Sequence, residues 1–227
     1  MDKNIVMLKK LLSYIFPIRL YQATSETSKT IEVTMYNGEL VLDSENTNYS
    51  YGSLQRVLRF GLKQIGFDTI RKMQNILVLG VAGGSVIKTL VDEIGCQGKI
   101  TGVEIDENII KIANTYFNLD KISNLEIVID NAQQFVKSET QKYDLIIVDI
   151  FQDKEMPSFL FQKEFSDDLV TLLNDEGMIL FNTMTTDKKE IERNEKYKLN
   201  YLHKKIDIIE YSGLEGSNHI FILKQKS

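Results

Sequence analysis

The chain has 227 residues, of which 43% are hydrophobic and 26% are charged, as in an ordinary soluble globular protein. Its formal net charge of −5 disfavours a nucleic acid as partner, because a broad basic face would be needed to hold one. The one cysteine, Cys96, excludes an intrachain disulfide and fits a reducing compartment, so we expect a cytoplasmic protein. The two histidines, His203 and His219, have no further ligand nearby in the sequence, so we expect no metal site.

The N-terminal segment is apolar at helical spacing, with lysines interspersed. The apolar positions are Met7, Leu8, Leu11, Leu12, Ile15 and Phe16. This stretch is far too short to span a bilayer, so we expect no membrane-spanning segment. We predict a helix docked on its own domain or on a second subunit, and a helix lying on a membrane surface is the less favoured alternative. A homodimer is expected, because the helix would otherwise expose apolar surface.

A β-hairpin is predicted over residues 30–42, where apolar and polar residues alternate around Asn37 and Gly38. An Asn-Gly pair in such a setting is a strong hairpin signal. We therefore divide the chain into an N-terminal extension of helix and hairpin, residues 1–50, and a main domain, residues 51–227.

The most informative segment is residues 75–106. A short apolar run ends at a turn of small residues, GVAGGS at 80–85, and a helical pattern and a second apolar run then end at Glu104. This is one βαβ unit, and in open α/β sheets ligands bind beside the carboxyl ends of the strands. Small residues let the backbone approach a ligand closely, and a carboxylate at position 104 can accept both hydroxyls of a ribose. The segment predicts a nucleoside-binding site.

Further strands are predicted beyond this unit. They cover residues 125–129, 145–148, 178–181, 206–209 and 219–223, which makes seven in all, with helices between the first five. The fold class is therefore α/β, a doubly wound, mostly parallel sheet.

Asp130 and Asp149 each follow a strand directly. Asp130 can accept from an exocyclic amine, and Asp149 can stabilise a cation or accept a proton. Residues 187–205 are mostly polar and predict an exposed helix.

Several motifs together resemble spermidine synthases. They are VEIDENII at 103–110 with Tyr116 and Phe117 beyond it, YDLIIVD at 143–149, LFQKEF at 160–165, and YNGELVLD at 36–43 followed by Tyr51. The resemblance implies a class I methyltransferase-like Rossmann fold that binds S-adenosylmethionine or its decarboxylated form. It implies that the glycine turn lines the amino-acid end of that nucleoside, that Glu104 holds the ribose and that Asp130 binds the adenine. Asp149 would lie nearest the sulfonium as the catalytic residue.

The predicted site residues follow from this resemblance. The nucleoside-binding set is Gly80, Val81, Ala82, Gly83, Gly84, Glu104, Ile105, Asp130, Asn131 and Ala132, and the substrate contacts are Tyr51 and Asp153. The apolar stretch 151–161 is expected to form a lid through Phe151 and Met156, while Leu160 and Phe161 pack internally.

The glycine turn departs from the pattern of the resembled family, whose Gly-Gly-Gly-Asp-Gly-Gly carries an acid that is missing here. Decarboxylated S-adenosylmethionine ends in a bare ammonium, which favours a carboxylate partner, whereas the intact compound also carries a carboxylate. A turn without an acid, with free N–H groups at a helix start, suits a carboxylate better. Our first hypothesis is therefore a transferase that uses S-adenosylmethionine and moves a methyl or related group to an unidentified small molecule.

Three other functions stay open. The first is a true polyamine aminopropyltransferase, and the second is a nucleoside-binding protein that has lost catalysis. The third, a dinucleotide oxidoreductase, is less favoured, because a pyrophosphate site explains neither Asp130 nor the segment ending at Asp149.

Overall fold

The computed structural model describes residues 3–25, 29–44, 48–152, 155–202 and 204–226. The chain begins with helix α1 (Lys3–Leu12), which is followed by a four-stranded antiparallel sheet in the order β1-β2-β3-β4. Its strands are β1 (Ile18–Ser25), β2 (Lys29–Tyr36), β3 (Glu39–Ser44) and β4 (Asn48–Ser50). The predicted hairpin is present as β2 and β3, with Asn37 and Gly38 both at positive φ, and the sheet around it is wider than expected.

The main sheet has seven strands in the order β10-β11-β9-β8-β5-β6-β7. They are β5 (Asn75–Leu79), β6 (Lys99–Glu104), β7 (Leu125–Ile129), β8 (Tyr143–Val148), β9 (Leu173–Met184), β10 (Ile206–Leu214) and β11 (Asn218–Gln225). Only β11 runs against the others, because it pairs antiparallel with both β9 and β10. This arrangement confirms the doubly wound, mostly parallel sheet of the methyltransferase-like Rossmann type.

Helices cover both faces of this sheet. They are α2 (Gly52–Ile65), α3 (Phe67–Ile70), α4 (Ser85–Lys88) with a π-helical turn (Thr89–Ile94), α5 (Glu107–Phe117), α6 (Ala132–Ser138), α7 (Lys163–Thr171) and α8 (Lys188–Leu199). Short 3₁₀ turns occupy Leu119–Lys121 and Ser158–Phe161. Residues 76–79 of β5 and 145–148 of β8 are continuous apolar runs, as expected for strands buried on both faces. Alternate side chains supply the two cores, so that Ile76 and Val78 face one layer and Leu77 and Leu79 face the other.

The polar helix predicted over residues 187–205 is shorter than expected and is anchored on one face. Tyr197 of α8 is only 1% exposed, and its hydroxyl lies 2.6 Å from that of Tyr201. Its ring contacts the rings of Phe181 and Phe221 from the sheet. Asn194 and Tyr197 are the two buried residues of α8, so the prediction of an exposed helix fits most of its length and missed the anchor that Tyr197 provides.

The N-terminal helix keeps much of its apolar surface exposed. Met7, Leu8, Leu11 and Ile15 are each more than half exposed. A polar contact joins the segment to the small sheet, where Gly38 N donates to Ser13 Oγ at 2.9 Å. Docking on a second subunit, and the independence of residues 1–50 as a domain, stay predictions. Among the described helices, none has the length and apolar character needed to cross a membrane.

We expect the Tyr197→Ala variant to lose about 3–5 kcal/mol of unfolding free energy, because it leaves a cavity beneath α8 and removes the partner of Tyr201. The matched control is Leu199→Ala in the same helix, which is 59% exposed and should change stability by no more than about 0.5 kcal/mol. Urea unfolding followed by circular dichroism measures both. Equal losses in the two variants would contradict the anchoring assigned to Tyr197.

Candidate functional site

The glycine turn after β5 brings two strand ends into contact. Gly80 has φ +88°, and a Cβ built on it would lie 2.2 Å from the backbone oxygen of Asp149. Only glycine fits such an approach between two backbones. The turn therefore lies directly beside the acid that follows β8.

The backbone N–H groups of this turn are largely occupied. Those of Val81 and Ala82 donate to Glu104 Oε2, both at 3.1 Å. Ser85 N donates to Ser50 Oγ at 3.2 Å, and Gly84 N donates to Val81 O at 2.8 Å. The helix that follows has only four regular residues before it widens into the π turn. The turn therefore offers fewer free N–H groups than the expected carboxylate site requires.

Glu104 occupies the centre of this arrangement. Besides the two turn N–H groups, its carboxylate accepts from Ile105 N at 2.9 Å and from Asp106 N at 3.1 Å. Burial raises the pKa of Glu104, while the four N–H groups favour the ionised form. Glu104 as a whole is 8% exposed, and it borders the cleft described below. It ties the glycine turn to the end of β6.

Asp130 and Asn131 follow β7. Asp130 Oδ1 accepts from Asn131 N at 2.7 Å, and Asn131 Oδ1 caps α6 by accepting from the N–H groups of Gln133 and Gln134. The cap fixes the start of α6, so the amide oxygen of Asn131 is engaged in the fold. Asp130 keeps its second carboxylate oxygen for other partners.

Asp149 is held by a relay of two amides. Its Oδ1 accepts from Asn182 Nδ2 at 2.9 Å, and Asn182 Oδ1 accepts from Asn218 Nδ2 at 3.1 Å. Burial raises the pKa of Asp149 from 3.8 to about 6, and the Asn182 hydrogen bond opposes that rise. Neither asparagine was among the predicted site residues. The signal in the sequence was a polar residue, Asn182, directly after the apolar run 178–181.

One cleft brings most of the predicted residues together. Those that line it are Gly80, Ala82, Glu104, Ile105, Asp130, Asn131, Ala132 and Asp149. Lining residues outside the predicted site set include Leu54, Ile150, Gln152, Pro157 and Phe159. The cleft thus has three carboxylates and, among the lining residues that the structure describes, no lysine, arginine or histidine. Such a surface favours a cationic ligand.

Some predicted site residues lie outside this lining. Val81, Gly83 and Gly84 belong to the turn but do not border the cleft. Tyr51 stacks on Phe117 with ring centroids 4.6 Å apart, and its hydroxyl donates to Gly83 O at 3.2 Å. These contacts support the turn, and the substrate contact of Tyr51 stays a prediction. Asp153 lies outside the described residues.

The stretch after Asp149 behaves only partly as the expected lid. Phe151 lines the cleft, as the lid prediction requires. Met156 is instead buried, with its sulfur 3.7 Å from Arg193 Nη2. Leu160 is fully buried in the core beneath, as expected for internal packing. Among the described residues, no cluster of three or more His, Cys, Asp or Glu side chains is arranged to hold a metal ion.

Comparison with known proteins shows which family the sequence matches. Residues 61–209 match the spermine/spermidine synthase domain. A polyamine aminopropyltransferase of Vibrio vulnificus is 32% identical over 120 residues, which cover 52% of this chain and 40% of that protein. The chain spans less than half the length of the curated relatives it matches.

Solved structures share the fold at low identity. A probable spermidine synthase from Corynebacterium glutamicum aligns with a TM-score of 0.71 at 15% identity, over 92% of this chain and 79% of its own. Human methyltransferase-like protein 13 in complex with SAH aligns with a TM-score of 0.64 at 17% identity, over 78% of this chain and 83% of its own. These likenesses show the fold and do not distinguish between reactions. The match to the spermine/spermidine synthase domain covers well over half of the sequence. The chain therefore belongs to the spermine/spermidine synthase family.

Proposed function

We propose that the chain transfers an aminopropyl group from decarboxylated S-adenosylmethionine to an amine acceptor. The observation that carries the proposal is the charge of the cleft, which has Glu104, Asp130 and Asp149 and no basic side chain among its described lining residues. The sequence relatives, named polyamine aminopropyltransferases, support the same reaction. Methyl transfer, our first hypothesis, has no such support from them.

The state of the glycine turn is the physical reason for this change. The methyl-transfer hypothesis needed free N–H groups to hold the carboxylate of intact S-adenosylmethionine. Those of Val81 and Ala82 already donate to Glu104, and that of Ser85 donates to Ser50. A carboxylate entering the cleft would meet three like charges, whereas a sulfonium with an ammonium is attracted to them.

We assign the adenosine part of this substrate to the ends of β6 and β7. Glu104, fixed by four backbone donors, is the candidate partner of the ribose, and Asp130 is the candidate partner of the adenine amino group. Ile105 is 47% exposed at the cleft and, with Ala132, offers apolar contact to the ring. Gly80 and Ala82 border the side where the sulfonium would lie.

The proposed reaction is a direct displacement. The lone pair of an uncharged amine attacks the carbon next to the sulfonium, the C–N bond forms, and the C–S bond breaks with its electrons returning to sulfur. Methylthioadenosine leaves as a neutral thioether, and the proton of the new ammonium passes to the Asp149 carboxylate or to water. Positioning and electrostatics supply most of the rate in such a step.

The chain is also proposed to act in the cytoplasm as a homodimer. The support for a dimer is the exposed apolar surface of α1, where Leu8 and Leu11 are each more than half exposed. The support for the compartment is the single cysteine, Cys96, which is free and buried.

Product identity tests the reaction. Incubation with decarboxylated S-adenosylmethionine and a series of linear aliphatic amines should release methylthioadenosine, identified by mass spectrometry. Parallel incubation with S-adenosylmethionine should release little S-adenosylhomocysteine. The Asp149→Ala variant should lose turnover and keep nucleoside binding. Release of S-adenosylhomocysteine alone would restore the methyl-transfer hypothesis, and release of neither product would favour a protein that only binds.

The pH dependence should report Asp149. With a pKa of about 6, the carboxylate is mostly ionised at pH 7 and mostly protonated at pH 5. The amine must also lose a proton, so log kcat/KM should rise with a slope of about 2 below pH 6 and about 1 above it. Asn182→Ala removes the hydrogen bond that lowers the pKa, so the break should move up by about one to two pH units. A variant that is slower with an unmoved break would mean that Asn182 acts only in packing.

Glu104→Gln should weaken binding of methylthioadenosine by about tenfold or more. An amide has one oxygen, so its NH₂ group would face backbone N–H donors and leave them unsatisfied. Calorimetric titration measures the affinity. The matched control is Glu107→Gln, an exposed acid that pairs with Lys111 on α5. Unchanged affinity in Glu104→Gln would remove Glu104 from the proposed site.

A further inference from the structure

A second chamber adjoins the cleft and shares Leu54 and Phe151 with it. This distal chamber is lined by Ser53, Leu54, Phe151, Met184, Glu215, Ser217 and Asn218. Leu54 and Phe151 border both spaces, so the two are adjacent. The distal chamber lies between the start of α2 and the β10–β11 turn, away from Glu104 and Asp130.

The distal chamber is also connected to Asp149 by hydrogen bonds. Asn218, which lines it, donates to Asn182, and Asn182 donates to Asp149. In the proposed binding mode, the adenosine part of the substrate occupies the side of the cleft near Glu104 and Asp130. An amine whose nitrogen approaches Asp149 therefore has the distal chamber available for the remainder of its length.

The charge of the distal chamber is already neutralised. Among its described lining residues, Glu215 is the one ionisable group. Arg56 of α2 holds it in a two-pronged ion pair, with Nε donating to Oε1 at 2.9 Å and Nη2 donating to Oε2 at 2.7 Å. The Arg56 hydrogen bond lowers the pKa of Glu215, so the carboxylate is ionised and paired at neutral pH. The remaining surface is apolar or uncharged.

Resting on the proposed function, we infer that the distal chamber receives an uncharged end of the amine acceptor, and that the Arg56–Glu215 pair disfavours a second ammonium there. A second ammonium there would lie near the Arg56 guanidinium, and the one carboxylate present is already committed to that guanidinium. Leu54, Phe151 and Met184 instead offer contact to a hydrocarbon chain. The preferred acceptor is thus a monoamine with an apolar tail, which differs from a polyamine with a charge at each end.

The ion pair can be removed without loss of the fold. The side chains of Arg56 and Glu215 are 62% and 31% exposed, and such surface pairs contribute little to stability. In Arg56→Ala the Glu215 carboxylate becomes free to accept a second ammonium. In Glu215→Gln the guanidinium is left without its counter-charge and repels one.

The experiment compares a linear primary monoamine with the diamine of equal chain length. Methylthioadenosine release gives kcat/KM for each amine, and calorimetric titration in the presence of methylthioadenosine gives each affinity without turnover. We expect the parent protein to prefer the monoamine, Arg56→Ala to shift the monoamine-to-diamine ratio about tenfold toward the diamine, and Glu215→Gln to shift it the other way. The control is Arg59→Ala, which removes the Arg59–Glu93 pair from the same helix and should leave the ratio unchanged.

A parent protein that prefers the diamine, or a ratio that Arg56→Ala does not move, would overturn the inference. Failure of the proposed function is a separate result, because it appears as no methylthioadenosine from any amine. In that case the two affinities still decide whether the distal chamber discriminates against a second charge.

Discussion

The site depends on one interaction, in which the Glu104 carboxylate accepts hydrogen bonds from four backbone N–H groups. It links the turn after β5 to the turn after β6 and holds a negative charge at the edge of the cleft. A buried carboxylate is costly unless its oxygens are satisfied, and here the protein satisfies them with its own backbone. The same bonds occupy the donors that a ligand carboxylate would need. One side chain therefore shapes the turn and, in the proposed function, also favours a cationic ligand in the cleft.

Much of the fold was predictable because its signals are local. The alternation around Asn37 and Gly38 and the apolar runs of β5 and β8 follow directly from strand periodicity. The acids after β6, β7 and β8 converge because parallel strands end at one edge of the sheet. Tyr197 was missed because helix α8 is polar overall and its anchoring depends on aromatic residues far away in sequence.

The chemistry of the site was less predictable, because it depends on which donors remain free after folding. Nothing in the letters GVAGGS reveals that Val81 and Ala82 donate to a side chain 22 or more residues away. The Arg56–Glu215 pair spans 159 positions and has no local pattern at all. The resemblance to spermidine synthases named most of the residues that line the cleft, whereas the proposed preference for a cationic ligand rests on hydrogen bonds that the sequence does not reveal.

The relay behind Asp149 has a consequence for the path of the proton. Side-chain amides do not ionise in the physiological range, so Asn182 and Asn218 orient the carboxylate and cannot carry a proton away from it. A proton taken up by Asp149 in the proposed reaction would therefore leave on the side of the cleft, where Asp149 is one of the lining residues. In the proposed reaction, regeneration of the carboxylate would therefore depend on water re-entering the cleft after the products depart.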